Sequence, residues 1–171
     1  MKKALVVIDM QNDFVFGSLG SADAQAILPN VTERVKNARQ NGEQVIFTRD
    51  THGKDYLTTQ EGKKLPILHC IKDTEGWSVC KGLQETGDVV FDKAVFGSIE
   101  LASYLQQQAF ESVEFIGVCT DICVVSNVLL AKAICLDTEI FVRADCCAGL
   151  SKEKHAAALE TMQSCQVTII S

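Results

Sequence analysis

Cys123 lies in GVCTDICV, where the short apolar run VEFIGV (113–118) gives way to CVVSNVLLAKAICL (123–136). The apolar residues of the second run recur at helical spacing. Thr120 and Asp121, at the junction, carry N-cap side chains. The thiol is therefore expected in the first turn of a helix, just past the carboxyl end of a buried strand. Unpaired amides and the positive end of the helix dipole meet there, which lowers a thiol's pKa and favours an attacking thiolate. The same amides could hold an oxyanion. The plain alternative is a small, buried, apolar cysteine. Asp9, Asp50 and Lys93 each close a strand-like run, at ALVVID, EQVIFTRD and DVVFDK. A carboxylate can take a proton from a thiol, and a lysine can stabilise the charge that develops, so Asp, Lys and Cys suffice for nucleophilic acyl transfer. Taken singly, Asp9 could be an ordinary loop residue and Lys93 a solvated strand end.

A second group follows the strand that ends at Asp50. Asp50-Thr51-His52 places a carboxylate and an imidazole two residues apart, and PILHC (66–70) adds His69. Two imidazoles and one carboxylate suit zinc, iron or manganese, with positions left open for water or substrate. The competing reading is a capping Asp with two surface histidines. Asp145 reads as a cap or loop hydrogen-bonder, and His155 as an ordinary residue of the last helix.

These residues converge only if the elements carrying them are arranged suitably. Strands are expected at 4–9, 43–50, 88–93, 113–118, 138–144 and 166–170, and helices at 24–42, 98–108, 121–136 and 151–164. Residues 51–87 show no clear period, and a stretch of that length is usually functional or holds small elements of its own. Short apolar strands alternating with helices imply an α/β fold, a parallel sheet covered by helices on both faces. In such a sheet ligands bind outside the carboxyl ends of the strands, which is where Asp9, Asp50, Lys93 and Cys123 fall.

The 171 residues fit one domain, 1–171. A net charge of −6 and a pI near 5.0 argue against nucleic acid or an anionic membrane as partner. No apolar run is long enough to cross a bilayer. Asp9 interrupts the apolar run after Met1-Lys2-Lys3, so the opening reads as a strand, not a signal peptide, and the chain as cytoplasmic. The eight cysteines form no CxxC pair, so zinc-ribbon and thioredoxin-type motifs are unsupported and free thiols are expected. A thiol redox or binding protein is the alternative of a different class, with Cys146-Cys147 and Cys119/Cys123 as its candidate pairs.

The segments LVVIDMQNDF (5–14), TRDTH (48–52), PILHCIKDTEGW (66–77), FDKAVFGS (91–98), GVCTDICV (117–124) and VRADCCAGLSKEKHAAALETM (142–162) fall in order over nearly the whole chain. Together they resemble the nicotinamidase and isochorismatase-like cysteine hydrolases. The resemblance implies a three-layer αβα fold with a six-stranded parallel sheet. It implies a catalytic triad of Asp9, Lys93 and Cys123, in which Cys123 attacks an amide carbonyl and Asp9 shuttles the proton. The oxyanion would meet the backbone amides of Cys119 and Cys123, after a cis peptide joining Val118 and Cys119. Phe14 matches an aromatic of the substrate pocket. Asp50, His52 and His69 match the metal-bearing branch, with zinc favoured over iron or manganese, and that branch acts on nicotinamide. Another small amide or a ureido compound is the alternative. Leu65 stands where nicotinamidases usually carry a tryptophan, no further histidine lies between His52 and His69, and Gly97-Ser98 replaces the usual continuation after the lysine. A small-molecule amide is the implied partner, and homo-oligomers are common in the family.

Overall fold

Strands that are apolar on both sides have to be covered on both faces, and the computed structural model, which describes residues 2–171, meets that demand. In chain order the elements are β1 (Lys3–Ile8), α1 (Asn12–Val15), α2 (Ala22–Gln40), β2 (Gln44–Asp50), α3 (Gln60–Lys64), β3 (Val89–Lys93), α4 (Ile99–Gln108), β4 (Ser112–Val118), α5 (Val125–Ile134), β5 (Glu139–Ala148), α6 (Lys152–Ser164) and β6 (Thr168–Ile170). All six strands pair in parallel, in the order β3-β2-β1-β4-β5-β6. The chain runs outward from β1 to β3, then returns to β4 on the other side of β1. That reversal makes the carboxyl ends of β1 and β4 the topological switch point, where the crevice of such a sheet opens.

Alternation along the strands separates two cores. Leu5 and Val7 of β1 pack with Phe47, Ile116 and the α2 residues Ile27, Val31 and Val35. Ala4, Val6 and Ile8 pack on the opposite face with Leu101 and Leu105 of α4, Val124 and Val128, and Met162 of α6. Helices α4, α5 and α6 thus cover one face and α2 the other. Ser21, Thr59, Ser98 and Ser151 each cap the following helix, accepting from the amides of Ala24, Gly62, Leu101 and Lys154. The capped starts of α2 and α4 lie near their expected positions.

Three expectations change. Strand β5 runs on to Ala148: Phe115 pairs with Val142 but Gly117 with Cys147. This bulge places Cys146 in one core and Cys147 in the other. Asp145 therefore lies inside a strand, where its carbonyl accepts from Asn30. Residues 51–87, by contrast, hold small elements as expected, a 3₁₀ turn, Tyr56–Thr58, and α3. Two single bridges, Gln11 with Val79 and His52 with Ile71, tie this stretch to the site. The expected helix 121–136 divides into a π turn, Thr120–Val124, and α5. No helix among the described residues is long and apolar enough to cross a membrane.

Glu114 of β4 faces α2, where it accepts from Arg34 Nε at 2.9 Å and from Arg143 Nε at 2.7 Å. Arg34 also donates to Glu43 at 2.6 Å. Burial works against the Glu114 charge, but the two arginines outweigh it and hold the carboxyl below its ordinary 4.5. A carboxyl lowered on folding stabilises above its unfolded pKa, and the effect is lost as pH falls through the folded one. Glu114→Gln should cost about 1–3 kcal/mol at pH 7. In urea titrations the gap from the native chain should close as the pH is taken below about 4.5.

Candidate active site

Asp9 follows the last residue of β1 and takes a positive φ of 48°, a conformation that Asp tolerates better than most residues. Thr48 of β2 fixes it twice, accepting from the Asp9 amide at 3.1 Å and donating to Oδ1 at 2.6 Å. Oδ2 has no aligned hydrogen-bond donor but lies 2.7 Å from Lys93 Nζ as an ion pair. Lys93 ends β3 opposite Asp50, the end of β2. Its ammonium lies 3.2 Å from Asp50 Oδ1 and 3.6 Å from Cys123 Sγ. The four strand-end groups foreseen as converging do so, and all four are buried.

Gly117 allows this closeness. Its φ is +119°, and a Cβ there would sit 2.1 Å from the Ile8 carbonyl oxygen. Any side chain would push β4 off β1 beside Asp9. The Val118–Cys119 peptide is cis, as the resemblance implied. Cys123 then lies in the π turn, and the amides on either side of it, those of Ile122 and Val124, both reach the Cys119 carbonyl.

Thr120 and Asp121 are not the caps they resemble. Thr120 Oγ1 lies 2.8 Å from His155 Nδ1, and Asp121 accepts from the Leu150 amide. His155 is thus a brace for the nucleophile turn, reached from α6. The expected resting thiolate is also corrected. Burial, followed by the Asp9 charge, pushes the Cys123 thiol well above its ordinary 9.0, and Lys93 only partly offsets this. Burial likewise raises Asp9, against the pull of Lys93. Lys93 itself is held charged, because the Asp9 and Asp50 carboxylates outweigh its burial.

The second group assembles beside the first. His52 Nε2 lies 3.0 Å and His69 Nε2 3.6 Å from Asp50 Oδ2. Glu61 of α3, absent from the sequence reading, brings Oε1 to 3.9 Å from both nitrogens. Donor atoms of all four lie within 4.8 Å of one another. Ligands at about 2.0–2.2 Å from one ion lie up to about 4 Å apart, so small inward shifts would close the set. His69 Nδ1 lies 2.8 Å from the Ile67 carbonyl. A carbonyl can only accept, so a proton sits on Nδ1 and Nε2 is the nitrogen turned to the cluster. Two imidazoles and two carboxylates fit a divalent metal of the zinc, iron or manganese kind.

The segment DMQNDF supplies more than Asp9. Gln11 is wholly buried and clamps Asp50, accepting from its amide at 2.7 Å and donating to its carbonyl at 2.9 Å. Asp13 accepts from the Cys70 amide, next to His69, at 2.8 Å. Phe14 sets its ring 5.6 Å from that of His69, and Tyr56 lies between His52 and Leu65, donating to the Leu65 carbonyl. Leu65 lines the adjoining cleft, whereas Phe14 stands outside it. Glu61, Gln11 and Thr48 were missed in the sequence. A polar residue kept inside the apolar strand EQVIFTRD was the one signal for Thr48.

The Isochorismatase domain matches residues 3–171. The "Nicotinamidase/pyrazinamidase" of Mycobacterium tuberculosis is 26% identical over 185 residues, covering 98% of each chain. The "Probable inactive nicotinamidase" of Arabidopsis thaliana is 32% identical over 94% of this chain and 88% of its own length. The pyrazinamidase of Pyrococcus horikoshii, solved in complex with zinc, superposes with a TM-score of 0.88 at 28% identity, over 100% of this chain and 99% of that one. Overall likeness therefore spans proteins named as active and as inactive, and the side-chain geometry has to discriminate.

The cluster should bind one divalent ion per chain. Glu61→Gln should weaken zinc or manganese binding about 10-fold, within the range that supporting carboxylates contribute, and His52→Ala should weaken it more. Competition with a chromophoric chelator reads both; equal affinity in Glu61→Gln would remove Glu61 from the set.

Proposed function

The chain belongs to the isochorismatase family, and from that premise we propose that this amidohydrolase cleaves nicotinamide to nicotinate and ammonia. The observation that carries the reading is the Lys93 ammonium, 2.7 Å from Asp9 and 3.6 Å from Cys123, with all three buried at one sheet edge.

Because burial keeps Cys123 a thiol at rest, attack needs a base at the moment of bond formation. Asp9 Oδ2, ion-paired with Lys93 but without an aligned hydrogen-bond donor, would take the proton. Cys123 Sγ adds to the carboxamide carbon as its proton passes to Asp9 Oδ2, and Lys93 remains charged beside both groups. The carbonyl oxygen becomes an oxyanion that the Cys119 and Cys123 amides would hold. Asp9 returns the proton to the nitrogen, the C–N bond breaks and ammonia leaves a thioester on Cys123. Water, activated by Asp9, then adds to the thioester carbon. The C–S bond breaks, the acid departs and the proton returns to the sulfur.

Asp50, His52, Glu61 and His69 would hold the divalent ion, zinc in our reading, and when bound it offers a Lewis-acid position for the ring nitrogen. A ring nitrogen is what favours nicotinamide over a ureido compound, which has no comparable lone pair. A thiol redox role fits less well. All eight cysteines are free and only Cys165 is exposed, and such chemistry would leave Asp9 and Lys93 without a task.

Ammonia release from nicotinamide by metal-loaded protein tests the reading. Cys123→Ala should reduce turnover on the order of 10⁴-fold or more, and a native chain that releases no ammonia would overturn the assignment. Thr48→Val removes a donor that stabilises the Asp9 carboxylate, so the Asp9 pKa should rise further. The acid limb of kcat/KM should then move to higher pH, with turnover reduced roughly 10–100-fold, the worth of a charge-assisted hydrogen bond.

A further inference from the structure

A cleft of about 490 Å³ opens beside the metal-ligand cluster, with His52 and Glu61 on one side of it. Tyr56, Leu65, Val95, Phe96 and Ile122 give it a largely apolar lining, with Thr51, Thr59, Gln60 and Lys64 as its further polar groups. Clefts of roughly 300–1,000 Å³ accommodate ligands of drug size, and a single six-membered ring with a carboxamide fills only a small part of this one.

The walls are joined covalently to the chemistry. Ile122 immediately precedes Cys123, and Ala94, Val95 and Phe96 immediately follow Lys93. The cleft is thus lined by chain neighbours of Lys93 and Cys123 and by two of the four cluster residues, so a ring held between Cys123 and the cluster would border it. Yet Val95 is 62% and Phe96 46% exposed. Single exposed apolar residues need no explanation, but several lining one cavity beside a buried reactive group mark a surface for a ligand to cover. A bare nicotinamide would leave them wet.

Resting on the amidase reading above, we infer that the preferred substrate is a heteroaromatic carboxamide larger than nicotinamide, with an apolar alkyl or aryl substituent on the ring edge away from the carboxamide. Leu65 and Phe96 determine this specificity by forming the walls that the substituent covers. Lys64 and Gln60, also on the lining, leave room for a polar group at the far end.

The test is a series of 5-substituted nicotinamides (hydrogen, methyl, propyl, phenyl), read as ammonia release by the metal-loaded chain. The kcat/KM ratio of 5-phenylnicotinamide to nicotinamide should be about 10 or more, since one methylene in an apolar pocket is worth roughly 10–200-fold. Leu65→Trp, with Leu65→Phe as the milder variant, narrows the cleft at the wall the substituent would cover and should bring the ratio to one or below. Taken within each variant, the ratio does not depend on how much protein is folded.

A native ratio of one or less, with nicotinamide turned over, overturns the inference and leaves the amidase standing. So does a ratio unchanged by both Leu65 variants. If no amide of the series is hydrolysed, the amidase reading falls, and calorimetry on Cys123→Ala decides the cleft by itself. Binding of 5-phenylnicotinamide 10-fold or more tighter than nicotinamide, lost on adding Leu65→Trp, supports the cleft assignment. Equal or absent binding ends it.

Discussion

The Lys93 ammonium is the charge on which the site depends. Two carboxylates, Asp9 and Asp50, and the sulfur of Cys123 are buried around it. Without a cation among them, two buried carboxylates so close could not both stay ionised. A buried charge is itself costly unless it is paired. The β2–β3 register meets that cost by bringing Lys93 to its partners: Asp50 is its neighbour in the ladder, and Asp9 arrives from β1 on the far side of β2. Lys93 also links two groups that would otherwise be separate. Asp50 presents one oxygen to the ammonium and the other to His52 and His69. In the proposed site, metal occupancy and the charge balance around Lys93 would therefore be coupled through a single carboxylate.

The first loop of the fold performs most of the positioning. In DMQNDF, Asp9 pairs with Lys93, Gln11 holds the backbone of Asp50, Asp13 holds the amide after His69, and Phe14 lies against the His69 ring. Gln11 fixes Asp50 without altering its charge, because an amide side chain both donates and accepts. The loop leaves β1 at the switch point of the sheet, the one place from which it can reach the ends of β2 and the segment around His69. A motif that reads as a string of polar residues is thus a set of short struts, each aimed at a different wall of the site.

The nucleophile turn works differently from a helix N-terminus. Its π geometry, the Thr120–His155 contact and the Asp121–Leu150 bond fix the turn from α6 and the loop before it. Cys123 is buried, and burial opposes its ionisation. In the proposed mechanism activation comes from Asp9, and reactivity is confined to moments when a substrate carbonyl is present to receive the sulfur.

The amino-acid sequence alone determined the alternation of strands and helices, and with it the edge at which Asp9, Asp50, Lys93 and Cys123 gather. Strand-end positions follow from local apolar periodicity, and a parallel sheet puts all such ends on one side. The D-x-H spacing was legible for the same reason, and His69 as the second imidazole of the segment that follows that strand. Only the tertiary structure decided on Thr48, Gln11 and Glu61, whose partners lie far away in sequence or across a segment without any period. It also replaced the helix cap at Thr120 with a brace to His155, extended β5 through a bulge, and turned the expected thiolate into a buried thiol. Each of these depends on burial and on distances between segments, and a linear pattern carries neither.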